Sequence, residues 1–245
     1  MTGRIVRNDE PMLELPEVGR IKIGKKVSNG GREYPTSVDY FIPSGKYAAL
    51  FERAYGDKPQ TIQIVFPDDN PERVCNERYE YRDNSGALVA AGDGRTFRVW
   101  NGKEYAEYSA EKHPDLMQRI SSKFPKKARK DGDDGWDIVL TMRFIVPAVR
   151  GIVGVWQFTT KGAASSIKNI RNSFDGVQML RGTVTQTVFD LSVQFAKSNK
   201  PGVNSRYPVV TLTANDTRIE EIKKAITPTA TLNVLLPEKG EKDAI

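Results

Sequence analysis

Hydrophobic and polar positions alternate along most of this chain, and the alternation predicts strands. In GRIKIGKK (19–26), Ile21 and Ile23 alternate with Arg20 and Lys22, the period of a half-buried strand. SVDYFI (37–42) and TIQIVFP (61–67) follow as two more. Between 77 and 110 the pattern predicts a meander: ERYEYRD, a DNSG turn, ALVAAGDGRTFRVW with a turn at GDG, a WNGK turn, and EYAEYSA. DIVLTMRFIV (137–146) is a strongly apolar strand that leads through PAVRGI into GVWQFTT (154–160). VTQTVFDLSVQFA (184–196) and RYPVVTLTA (206–214) are long strands joined by the polar KSNKPGVNS.

Elsewhere the period changes to that of a helix. KYAALFERAYG (46–56) puts Tyr47, Leu50, Phe51 and Ala54 on one face and stops at a glycine. DLMQRISSKF (115–124) is a short helix, and TRIEEIKKAI (217–226) closes the ordered part. After GVWQFTT the small polar run KGAASS opens a helix in which Ile167, Ile170, Phe174 and Val177 share one face, with Lys168, Arg171 and Asp175 elsewhere on the circumference. Strands and helices interleave irregularly, which predicts an α+β fold, a mostly antiparallel sheet with a few packed helices. The expected organisation is an N-terminal arm (1–18), a single compact body (19–226) with a candidate subdivision near 111–135, and a C-terminal tail (227–245).

Composition then removes whole classes of function. No apolar run approaches the roughly 20 residues of a membrane helix, and MTGRIVRNDEP lacks the apolar centre of a secretory signal. A cytoplasmic protein is expected, in the host cytoplasm if phage-encoded. The only cysteine, Cys75, can form no internal disulfide, and the only histidine, His113, leaves nothing from which to assemble a zinc site or a Ser/His/Asp triad. No enzyme activity, cofactor or metal is therefore expected. Asp131, Asp133 and Asp134 in DGDDG lack the spacing of a calcium loop and read as a hydrophilic turn.

The formal charge of +6 is compatible with a nucleic-acid partner, and its distribution says where to look. QRISSKFPKKARK (118–130) carries Lys123, Lys126, Lys127, Arg129 and Lys130 without an acid among them, either a phosphate-facing segment or a solvated linker. Lys161, Lys168 and Arg171 surround the opening of the KGAASS helix. Free N–H groups in that first turn favour an anion such as a DNA phosphate, whereas capping by Thr or Ser hydroxyls would satisfy them internally. On ERYEYR, Tyr79 and Tyr81 share one strand face and Arg78, Glu80 and Arg82 the other, so the tyrosines either pack in the sheet or offer bases a stacking platform.

GRIKIGKK, KPQTIQIVFPDDNP, the ERYEYRD meander, MRFIVPAV and above all GVWQFTTKGAASSIKNI give the chain, from about residue 19 to 213, a pattern that resembles the recombination directionality factor-like proteins of phages and mobile elements. Such factors partner large serine integrases and switch them from integration toward excision. The resemblance implies a non-enzymatic DNA-recombination accessory that acts by binding a serine integrase or other recombination protein, with DNA as a second partner. Proteins of this type often carry a cysteine cluster before the strand corresponding to MRFIVPAV; KKARKDGDDGWDI stands there instead, so the zinc expectation is dropped. The alternative is a phage single-stranded DNA-binding or strand-annealing protein, supported by the basic charge and the aromatic strands.

Overall fold

The computed structural model describes residues 15–126, 133–198 and 205–215. Outside them lie Lys127, Arg129, Lys130 and Asp131, most of the expected N-terminal arm, the expected helix at 217–226 and the tail. Eleven strands and a few short helices are present among the described residues, and the fold is α+β with sheet dominant.

Eight strands form one sheet. In chain order they are β1 (Glu17–Asn29), β2 (Arg32–Ser44), β4 (Cys75–Arg82), β5 (Leu88–Gly92), β6 (Thr96–Trp100), β7 (Tyr105–Ser109), β8 (Trp136–Phe144) and β9 (Val155–Thr160). Their spatial order is β2-β1-β9-β8-β4-β5-β6-β7, antiparallel throughout except where β1 meets β9. A second, antiparallel sheet has the order β11-β10-β3, from β3 (Thr61–Val65), β10 (Val188–Lys197) and β11 (Arg206–Asn215). A bridge between Val65 and Ile145 ties the two together.

The period-two pattern sets which face of the large sheet is covered. Cross-strand partners point the same way, so Cys75 with Met142, Met142 with Phe158, and Phe144 with Trp156 form one apolar face. On it sit the second sheet, α1 (Ala48–Tyr55) and α4 (Lys168–Arg181), burying Phe51, Phe66, Phe174 and Phe189. Phe66 meets Phe174 and Phe189 edge to face at 5.0 and 5.3 Å. Each such fully buried side chain contributes about 1.5–3 kcal/mol from leaving water. A smaller cluster on the same sheet face packs α3 (Leu116–Lys123) through Leu116 and Ile120 onto Tyr81, Phe97 and Trp136. Close packing also explains a glycine: a Cβ on Gly19 would stand 2.4 Å from the Trp156 ring and 2.9 Å from the Ser44 carbonyl.

Three details differ from the sequence reading. Ala54, expected on the buried face of α1, is exposed. Tyr55 is half-buried instead, its ring 5.2 Å from that of Phe51. A four-residue helix, α2 (Pro71–Val74), precedes β4; Asn70 caps it by accepting the Glu72 N–H at 2.9 Å, and Pro71 supplies a preset φ at its first position. Finally, β1 and β2 are far longer than expected, because they run on as an antiparallel ribbon to Asn29 and Arg32 and turn at Gly30 and Gly31, both with positive φ. The Asn-Gly-Gly sequence is the turn signal that marks this hairpin. No helix among the described residues is long and apolar enough to cross a membrane.

Candidate nucleic-acid and partner interface

The KGAASS opening forms a π-helical turn, Ala163–Ile167, before α4 begins. Two serines anchor this region to β11: the buried Ser166 Oγ accepts the Val210 N–H at 3.0 Å, and the Ser173 hydroxyl donates to the Leu212 carbonyl. With these bonds, Ile167, Ile170 and Phe174 are driven into the core, as the helical period predicts. The N–H groups at the opening are largely occupied. Gly162 donates to Thr160 Oγ1 at 3.3 Å, Ala163 to the Lys161 carbonyl, and Ser165 and Ile167 both to the Gly162 carbonyl. Of the two readings of this turn, hydroxyl and backbone capping accounts for these donors.

The cations expected around it fall into two kinds. Lys161 Nζ lies 2.8 Å from Asp137 Oδ2. Arg171 bridges Glu77 on β4 at 3.0 Å and Asp175 at 3.2 Å, with 35% of its side chain exposed. Burial pulls its basicity down, but the Asp175 and Glu77 carboxylates outweigh this and hold its pKa above the usual arginine value. Lys168, three residues earlier, is exposed. From the other basic run, Lys123 extends over the Phe124 ring at 5.5 Å, and Lys126 lies 4.0 Å over the Tyr81 ring while donating to the Gly135 carbonyl at 2.6 Å. Gly135 and Asp137 bracket the start of β8, so the structure brings Lys126 and Lys161 to one end of the large sheet. Lys168 and Arg171 stand on α4.

Other sequence candidates resolve as packing. Tyr81 is buried, donates its hydroxyl to the Phe124 carbonyl at 2.6 Å and packs on Trp136; Tyr79 lies against Phe97. Their face is the covered one. Cys75 is buried, and that burial pushes its thiol up to about 12, which removes the thiolate needed for reactivity. His113 packs its ring 5.6 Å from Tyr108, and its carbonyl accepts the Leu116 N–H at the start of α3. Asp133 and Asp134 each accept a local backbone N–H, from Gly135 and Trp136.

Of the opposite face of the large sheet, sequence reasoning placed only Arg78, Glu80 and Arg82. Register places Arg20, Gln157, Arg143, Thr141, Asn76, Arg78, Glu80, Arg82 and Arg98 on it, with Trp100 and Tyr105 at the β6–β7 end. Apart from Glu80 and Val139, these side chains and their cross-strand partners reach solvent. Glu80 is only 3% exposed and is gripped from both sides. Arg78 gives Oε1 two bonds, at 2.9 and 2.7 Å, and Arg82 reaches Oε2 through Nε at 3.0 Å and Nη2 at 2.9 Å. The alternation in ERYEYR signals this face, but only the position of the other layer says which side stays open.

No curated protein and no solved structure matches the chain at a significant level. Residues 18–215, which include both sheets, match the model of the Gp3-like family, described as recombination directionality factor-like, and the chain belongs to that family.

Proposed function

We propose that this chain is a non-enzymatic accessory that binds a serine integrase, contacts DNA and biases recombination toward excision. The observation that carries the reading is the family match over residues 18–215, a family of accessory rather than catalytic proteins in phage recombination. The described residues support it: the single cysteine is buried and the single histidine packs on a tyrosine, so neither is placed for catalysis. The DNA contact is assigned to the basic end of the sheet, Lys123, Lys126 and Lys161, with Lys127, Arg129 and Lys130 of the same sequence run and with the exposed Lys168 on α4, whereas Arg171 is held between Glu77 and Asp175.

The test is capture of the cognate serine integrase by the immobilised chain, together with the product ratio of the integrase reaction with and without it. Retention of integrase and a shift toward excision are expected. Failure of both would overturn the reading. Replacing Lys126, Lys127, Arg129 and Lys130 with Ala is expected to weaken duplex binding and to flatten its salt dependence, by about 0.9 in the log–log slope for each phosphate no longer neutralised.

A further inference from the structure

We infer that the uncovered face of the eight-stranded sheet is a track for single-stranded nucleic acid, with Trp100 and Tyr105 as its stacking end and Arg98, Arg78 and Arg143 as its phosphate contacts. The inference rests on the DNA-binding half of the proposed function and moves single-strand contact to residues outside the basic end.

The aromatic end is built for stacking. Trp100 and Tyr105 are cross-strand partners, 37% and 39% exposed, with ring centroids 5.2 Å apart. The Tyr105 hydroxyl donates to the Leu88 carbonyl on β5 at 2.7 Å, although β6 lies between β7 and β5. The Tyr105 side chain therefore reaches across β6 and stays part-exposed. The Arg98 guanidinium lies over that ring, its central carbon 5.9 Å from the centroid. Two part-exposed aromatic rings with a guanidinium over one of them give a base a surface to stack on, since every base has a π-face.

From there the face carries cations whose planes are already oriented. Glu80 holds Arg78 and Arg82 by paired bonds, so two guanidinium charges share one buried carboxylate and the surplus is positive. Rotamer freedom lost to Glu80 need not be lost again on binding. Beyond Arg78 a slot of about 370 Å³ is lined by Asn76, Thr141, Arg143 and Gln157. Of the two acids at its rim, Asp68 is neutralised by Arg73 at 2.8 Å, and Glu72 is exposed on α2. Glu107, opposite Arg98, is a further exposed acid on the track. Three strand spacings separate β6 from β8, a span of about 15 Å at the usual interstrand distance, the scale of a few extended nucleotides. Duplex DNA offers its stacked bases to no such platform, which favours a single strand.

The probe is a fluorescently labelled oligodeoxythymidylate of about 20 nucleotides, long enough to cover one such module, titrated by anisotropy beside a duplex of equal length. Trp100→Ala and Tyr105→Ala are each expected to weaken oligothymidylate binding by about 5- to 150-fold, the range for losing one stacked base. Tyr105→Phe, which keeps the ring, is expected to retain it. Arg98→Ala is expected to lower the single-strand salt slope by about 0.7. Melting temperatures confirm that each variant is folded. Failure of the wild-type chain to bind oligothymidylate at low salt, or equal affinity for wild type and folded Tyr105→Ala, overturns the inference. So does loss of integrase capture by these variants with oligothymidylate binding intact, which would make this a protein-docking face and leave the accessory function standing. Normal oligothymidylate behaviour with no integrase capture would instead overturn the accessory function and leave the track.

Discussion

Lys168 and Arg171 stand one turn apart on α4 and look equivalent in the sequence, yet charge reversal is expected to affect them very differently. Arg171 is about two-thirds buried between Glu77 and Asp175. Two unit charges near 4 Å interact by about 4 kcal/mol at the effective dielectric of a protein surface, but partial exposure and screening reduce each real pair to about 1 kcal/mol. Arg171→Glu removes both pairs and places a third carboxylate between the other two, so a loss of about 2–4 kcal/mol is expected after allowing for rotation of the new side chain into water. At about 2–4 °C per kcal/mol for a chain of this size, the melting temperature falls by roughly 5–15 °C. Lys168→Glu breaks no ion pair or hydrogen bond among the described residues and is expected to stay within about 0.5 kcal/mol of wild type. Thermal melts and urea titrations of both variants make the comparison, and duplex binding is measured on whichever remain folded. An Arg171→Glu protein that melts within about 2 °C of wild type would refute the argument, because the ion pairs would then contribute nothing to the fold.

Further expectations follow from the packing. Gly19→Ala is expected to cost about 1–3 kcal/mol by urea titration, since the new methyl must displace the Trp156 ring or the β2 backbone. Asp69→Ala is expected to cost about 2–3 kcal/mol, because its carboxylate accepts the Thr183 hydroxyl and the Val184 and Thr185 N–H groups, at 2.6 to 3.0 Å, and so pins the link from α4 to β10. Alkylation of Cys75 at pH 8 is expected to be roughly 1000-fold slower in the native state than in urea, given the thiol's rise to about 12. Because the unfolded thiol ionises first, Cys75 lowers stability as pH rises from about 9 toward 12, by up to about 1.4 kcal/mol per pH unit, and no such difference exists below about pH 8. Comparing Cys75→Ala with wild type across that range isolates the effect.

Local pattern determined the elements of this protein. Period two in GRIKIGKK, the apolar run DIVLTMRFIV, and period 3.6 in Ile167, Ile170 and Phe174 survive in the structure because each needs only one apolar environment to satisfy it. The family was legible too, since GVWQFTT through SIKNI forms one continuous strand–turn–helix stretch. Pairing and layering were not. Nothing in ERYEYR says that Tyr81 faces Trp136 and α3 while Arg78 and Arg82 face solvent; that depends on where β8, β5 and the second sheet lie. Nor does a run of cations announce which are free, because Asp137 and Glu77 are distant in sequence from Lys161 and Arg171 and become their partners only in the folded sheet. Alternation tells a strand that it has two faces, and only the tertiary structure decides which one the core covers and which is left to water and to partners.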